Sequence, residues 1–351
     1  MAWLARLGIE HDNLRTALGW SLGQPDRGNA GMRLAQALQW FWFLRGPVEE
    51  GRRWLERALS RPIAAAATRA RALAGLGMLA WRADDFPQAQ AALEESLALS
   101  RDLEDDSTLA FALHHLAHVR LMIGALPRAI EGFEESVSRF RRSGDTWGTA
   151  WSLRCLGDNL RGQGVTARAE AKLEESLTLF RQVGDQWLIG HVLFSLGAIA
   201  AERDDYERAN ALMEESLAIW YEADDKYDIG VAHRELGNVA RYRGDHERAA
   251  TLYQTSYEVF REIGDRYETG RLLESLAALA MARGRTQQAA RILGAADALR
   301  LAIGATIRPV DRLVHDRVTV EAREALGEQA FEAAFAAGRT MSLDDIATEG
   351  S

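Results

Sequence analysis

His114 and His118 stand one helical turn apart, so on a helix both imidazoles face the same way. With Asp158 from a neighbouring helix they would make a His-His-Asp metal set. The segment reads His114-His115-Leu116-Ala117-His118 and carries no glutamate between its histidines, which zinc peptidase chemistry requires. Polar histidines lining a groove, with no metal, are the expectation. The single cysteine, Cys155, adjoins Leu156 and reads as an inert core thiol rather than a nucleophile. It leaves no partner for a disulfide and no thiol set for structural zinc. Nowhere do a nucleophile, a base and an oxyanion site converge, and no Gly-x-x-x-x-Gly-Lys-Ser/Thr phosphate loop occurs. The chain is therefore expected to bind rather than to catalyse, and to need no cofactor.

The residues suited to binding fall on a repeat. Leu93-Glu94-Glu95-Ser96-Leu97 returns as Phe133 to Val137, Leu173 to Leu177, Met213 to Leu217 and, more loosely, Tyr253 to Tyr257, a step of 40 residues each time. Leu76, Leu116, Leu156, Leu196, Leu236 and Leu276 share the period, each followed by Gly or Ala, as do Ala89, Ala129, Ala169, Ala209, Ala249 and Ala289. Gly77 falls on a first helix (A) of each copy, and Ala89 and Leu93 fall on one face of a second (B). Small residues at 77 and 89 let the two axes approach, while Leu76 and Leu93 fill the space beside them. Linkers such as Gly144-Asp145, Gly184-Asp185 and Gly264-Asp265 can end one helix and cap the next.

These spacings resemble the tetratricopeptide-repeat (TPR) consensus, lengthened from about 34 residues, so each helix should gain about a turn. The fold expected is all-α: a TPR-like right-handed superhelical solenoid of helix hairpins with ~40-residue repeats and helical caps at both ends. Residues 1–62 would be an N-terminal cap with a degenerate first repeat. Its A helix would run from Ala30 to Arg45 and Pro47 would open its B helix, with Trp40, Phe41, Trp42 and Phe43 buried against the cap. Residues 63–303 would hold six repeats, and 304–351 a C-terminal cap with helices from Val310 to Leu326 and Gln329 to Ala337, after Arg308-Pro309.

In the TPR arrangement the A helices line the concave face, and positions i, i+3, i+7 and i+10 point into it. That arithmetic selects Trp81, Phe111, His114, His118, Trp151, Arg154, Asp158, Arg161, His191, Phe194, Arg234, Asn238 and Arg241 as the groove, together with Arg71, Glu274 and Arg271. Aromatic and arginine side chains are the usual anchors of recognition. A basic groove on a chain of net charge −9 favours a protein, a peptide or a small anionic effector, since arginine grips carboxylate or phosphate with two bonds. The alternative is that these arginines pair with acids of the next helix. Arg234 and Asn238 match the first helix of the TPR carboxylate clamp, but Ser275 stands where the clamp needs asparagine. Trp147, Trp187, Tyr227 and Tyr267 recur at the starts of A helices, as a rim ladder or as packing between repeats. Glu94-Glu95 and its echoes make an acidic outer stripe, read as a solvated face.

The ends carry a second resemblance. Trp3-Leu4-Ala5-Arg6-Leu7 with Glu10-His11-Asp12-Asn13-Leu14-Arg15, and later Leu293-Gly294-Ala295-Ala296 with Gly338-Arg339-Thr340-Met341-Ser342-Leu343-Asp344-Asp345, resemble the limits of the sensor region in bacterial signal-transduction (STAND) ATPases and large ATP-binding LuxR-type transcriptional regulators. The resemblance implies the sensor region of a larger regulator, partnered by a nucleotide-binding domain. A free-standing scaffold or adaptor bridging two proteins is the alternative. An acidic pI near 5.5 argues against direct nucleic-acid binding. The lack of a long apolar run or a secretory layout argues against a membrane and for the cytoplasm.

Overall fold

Each 40-residue copy becomes one antiparallel helix hairpin. The computed structural model describes residues 2–24, 27–44, 46–61, 65–305, 307, 309–342 and 345. Arg45, Arg308, Leu343 and Asp344 lie outside them. The described residues contain helices and turns, with no strand. They form two compact units, residues 1–183 and 184–351.

The first unit begins with α1 (Ala2–Ile9), α2 (His11–Gly23), α3 (Gly28–Ala37), α4 (Gln39–Leu44) and α5 (Val48–Leu59). Three hairpins follow: α6 (Ala66–Arg82) with α7 (Phe86–Asp102), α8 (Asp106–Met122) with α9 (Leu126–Ser143), and α10 (Thr146–Gly162) with α11 (Thr166–Val183). The second unit holds the hairpins α12 (Gln186–Glu202) with α13 (Tyr206–Ala223), α14 (Lys226–Tyr242) with α15 (His246–Ile263), and α16 (Arg266–Ala282) with α17 (Thr286–Ile303). It closes with α18 (Pro309–Leu326) and α19 (Glu328–Gly338).

The turns explain why each helix begins and ends where it does. Gly144, Gly264 and Gly304 end α9, α15 and α17 in the left-handed region, and Asp224 does the same for α13 at φ 52°. The aspartate after three of these stops caps the next helix: Asp145 accepts from Gly148 N, Asp225 from Asp228 N and Asp265 from Glu268 N. Asp85, Asp205 and Asp245 cap α7, α13 and α15 in the same way.

Within a hairpin the small residue of helix A meets the large residue of helix B. A Cβ at Gly157 would lie 2.7 Å from Leu173 Cγ, and one at Gly197 would lie 2.8 Å from Met213 Cγ. A second tie was not anticipated from the sequence. The serine of each Leu-Glu-Glu-Ser-Leu segment is fully buried and donates to a helix A carbonyl 26 residues earlier. Ser96 bonds Ala70, Ser136 bonds Ala110, Ser176 bonds Ala150, Ser216 bonds Gly190 and Ser256 bonds Gly230, at 2.7–2.9 Å. Each latch satisfies a hydroxyl that burial would otherwise penalise.

The N-terminal hairpin departs from the expected Ala30-to-Arg45 helix. The chain breaks at Leu38 between α3 and α4, so that only Phe41 and Trp42 enter the core, while Trp40 and Phe43 turn elsewhere and stay half-buried. Arg15 donates to both oxygens of buried Glu50 at 2.7 and 2.6 Å, tying α2 to α5. That ion pair holds the Glu50 carboxyl below the usual carboxylate range. At the other end α19 crosses α17 where Gly294 faces the Phe335 carbonyl and Gly338 faces the Arg291 carbonyl, so close that a Cβ at either would strike backbone.

Candidate functional site

In the first unit the A-helix residues selected from the sequence gather around α8 and α10. Trp81, Phe111, His118, Trp151, Arg154, Asp158 and Arg161 are half-buried on this face. His114 is fully buried, which corrects its placement as a groove-lining side chain. The reason is local: Trp151 covers its ring at 3.7 Å between centroids and Phe133 closes its other side at 5.4 Å.

The four aromatics of α4 supply what the repeat pattern could not indicate. Trp40 reaches onto the A-helix face, with its ring centroid 6.0 Å from Phe111, 5.9 Å from Trp147 and 5.7 Å from Trp151. Phe43 stacks on Trp81 at 6.2 Å. Trp81, Phe111 and Trp151, expected as ligand anchors, are therefore already covered by the chain's own N-terminal segment. Aromatic edges and faces at such distances contribute beyond their simple burial.

Beneath this cover lie three histidines and the cysteine. Ser136 spends its one hydroxyl proton on the Ala110 carbonyl, like the latch serines of four other repeats. Ser152 Oγ, 3.0 Å away, therefore donates to Ser136 Oγ, and must accept from His114 Nδ1 at 2.9 Å. This chain of donors places the His114 proton on Nδ1 and leaves a lone pair on Nε2. His118 Nε2 stands 3.2 Å from that atom and 3.7 Å from Cys155 Sγ. Burial drives the His114 and His115 imidazoles well below their ordinary pKa and lowers His118 to about 3, with Arg154 adding to the effect on His118. The same burial pushes the Cys155 thiol up to about 11.

The conceivable His-His-Asp set, weighed against plain groove histidines, does not assemble among the described residues. Asp158 Oδ2 accepts from Arg154 Nη1 at 3.0 Å along the same helix. The third group that converges on the two imidazoles is Cys155. The spacing of 37 residues from His118, three short of the repeat, is why the repeat arithmetic passed over it.

In the second unit the arginine rows are compensated. Arg234 is 3% exposed and donates to Glu235 at 2.5 Å and to Glu268 at 3.3 Å. Glu268, itself 2% exposed, also receives Arg271 at 3.1 Å on both oxygens and the Tyr227 hydroxyl at 3.4 Å. Asn238 donates to Glu235 at 2.9 Å and accepts from the Tyr253 hydroxyl at 2.8 Å. The clamp-like pair Arg234 and Asn238 is thus engaged within the fold. Arg241 lies over the Tyr242 ring at 4.2 Å. In the first unit Arg71 meets Asp105 at 3.1 Å. The sequence suggested a basic groove, but neighbouring acids neutralise most of these arginines, because acids on the same helix or on the next helix A fall within reach of the guanidinium.

His191 and Phe194 remain half-buried, and His191 Nε2 lies 3.2 Å from Asp228 Oδ2. Both rings pack near Trp220, at 5.3 and 5.5 Å. The aromatics at the starts of α12, α14 and α16 stay open to solvent: Trp187 is 39%, Tyr227 47% and Tyr267 37% exposed. Trp187 Nε1 donates to Asp225 at 2.9 Å, so its indole spans to the cap of the following A helix.

The tetratricopeptide repeat model matches residues 68–142, 108–182, 148–222 and 228–300. No curated protein sequence matches the chain. Among solved structures, the apo form of RapI is similar at a TM-score of 0.61 and 14% identity, over 84% of this chain and 97% of that one. A Rap protein complexed with competence and sporulation factor is similar at 0.55 and 14% identity, over 93% and 99%. BtubC (BKLC) from P. vanneervenii is similar at 0.52 and 20% identity, over 71% and 93%. At these identities the likeness is one of fold.

Proposed function

This chain belongs to the tetratricopeptide-repeat family, and on that premise we propose that it is a sensing module, binding a protein segment or peptide as the effector-responsive part of a larger ATPase-type regulator in the cytoplasm. The observation that carries the binding half is the exposed aromatic series Trp187, Tyr227 and Tyr267 at one position of three successive A helices. Large aromatics left in water at a fixed period cost the fold apolar exposure, and they are the residue types that anchor partners. His191 adjoins Trp187 at 4.2 Å and Phe194 lies on the same helix α12, extending this surface inward. The similarity in fold to a Rap protein complexed with a factor is in keeping with this reading.

A small anionic effector is less well served. It would have to draw Arg234 from Glu268 or Arg154 from Asp158 before meeting a guanidinium. The regulator half of the proposal rests on the resemblance of the chain ends alone. The residues that carry it also have work inside the fold, since Arg15 holds Glu50 and Gly294 and Gly338 permit the α17–α19 crossing. A scaffold bridging two proteins would use the same aromatic surface, and differs in requiring two partners at once.

The test is selection from a random-peptide display library on the wild-type chain and on the Trp187→Ala, Tyr227→Ala double variant. Peptides enriched on the wild type and lost on the variant support the aromatic surface as the effector site. Equal enrichment on both, or none on either, sinks it.

A further inference from the structure

We propose that His114 Nε2, His118 Nε2 and Cys155 Sγ form a three-coordinate site for one soft monovalent cation, Cu(I). The three atoms lie within 4.8 Å of one another. The two nitrogens are 3.2 Å apart, and the His118 nitrogen is 3.7 Å from the sulfur. Donors held at about 2.0 Å for nitrogen and about 2.3 Å for sulfur around one cation are separated by about 3.4 Å and about 3.7 Å. Two sides of the triangle already match these spacings, and the third, between His114 Nε2 and Cys155 Sγ, lies within 4.8 Å and closes by rotation of the two side chains.

The surroundings favour that donor set. The relay from Ala110 through Ser136 and Ser152 fixes the His114 tautomer with its lone pair on Nε2, as the outer partners of metal-bound histidines do. Arg154 Nη2 approaches Cys155 Sγ at 3.6 Å, where it would stabilise a thiolate. Trp81 and Phe133 flank His118 at 4.9 and 5.1 Å, excluding competing water from a soft ion. His118 is half-buried, which leaves an approach to the site from the face.

Charge selects the metal. Cu(I) with one thiolate and two neutral imidazoles is neutral, whereas Zn(II) would leave a net positive charge beside Arg154 in a largely buried place. Mixed thiolate and imidazole donors, flanked by aromatic rings, also suit Cu(I). On binding, the Cys155 S–H bond breaks and its proton leaves to solvent. His118 Nε2, which donates to His114 Nε2 in the free site, gives up that proton while Nδ1 takes one from solvent, two N–Cu bonds and one S–Cu bond form, and copper stays Cu(I) throughout.

The site does not depend on the effector reading. It is tested by anaerobic titration of the purified chain against Cu(I) held by bathocuproine disulfonate, following the loss of the chelator's colour. The expected result is one Cu(I) withdrawn per chain, with two nitrogens and one sulfur in its X-ray absorption spectrum. Cys155→Ser and His118→Asn should each abolish the transfer while keeping the helical circular dichroism, and Ser152→Ala should weaken it about 10-fold. No transfer, undiminished transfer in Cys155→Ser, or tighter binding of Zn(II) than of Cu(I) at the same residues would overturn the proposal.

Discussion

Ser176 Oγ donates a 2.7 Å hydrogen bond to the Ala150 carbonyl, fastening the middle of α11 to the middle of α10 across 26 residues of sequence. The same bond recurs in five repeats, so it belongs to the repeat rather than to a site. Ser176→Ala removes one neutral bond whose acceptor remains in the α-helix, and should lower stability by about 1 kcal/mol. Ser176→Val places a branched apolar group against the carbonyl and should cost more. Urea unfolding of the two variants, ordered this way, checks the latch; equal stability of wild type and Ser176→Ala would dismiss it.

Gly338→Ala and Gly294→Ala test the C-terminal crossing. Each adds one methyl against backbone rather than against a side chain that can swing away. Both should destabilise by about 3 kcal/mol and expose α19 to limited proteolysis, whereas Gly304, with open space about its Cα, tests only the left-handed conformation.

Arg234 offers a sharper distinction between binding and stability. Arg234→Ala leaves Glu268 buried with Arg271 as its remaining cation. The expected loss is about 3 kcal/mol, near the lower end for a broken buried pair. A variant that unfolds at the wild-type temperature would mean that Arg234 is held for a ligand instead.

The first unit should lose stability in mild acid. His114, His115 and His118 have folded pKa values below the ordinary 6.5, so the unfolded chain binds protons first as pH falls. Their contribution is complete above 6.5 and is lost progressively toward the folded values, about 3 for His118. Each histidine adds about 1.4 kcal/mol per pH unit within that window. His115, buried with neither ring nitrogen hydrogen-bonded, is the cleanest probe. His115→Phe should reduce the slope of melting temperature against pH as pH falls below the ordinary histidine value; an unchanged slope would reject the assignment.

Trp40→Ala should uncover Phe111 and Trp151. Because Trp40 is half-buried, a loss of about 2 kcal/mol is expected, below the range for a fully buried tryptophan. Acrylamide quenching of the remaining tryptophans should rise. Unchanged quenching would show that α4 does not cover this face.

The periodic part of the sequence by itself determined the helices, their pairing and the residues that lie between them. Gly157 against Leu173, or Asp145 capping α10, depends on spacing within one hairpin, and local geometry carries spacing directly into contact. What only the tertiary structure decided was where side chains meet across hairpins. The repeat arithmetic placed Arg234 and His114 on an open face, yet Glu268 and Trp151, each from the next helix A, close over them. Trp40 lies outside the repeat altogether, and its reach to Trp147 follows from the break at Leu38. Cys155 meets His118 because neighbouring helices bring residues 37 apart into register in space as readily as residues 40 apart. A period in the sequence reports which residues are equivalent, while chemistry depends on which are adjacent, and adjacency between helices is set by packing.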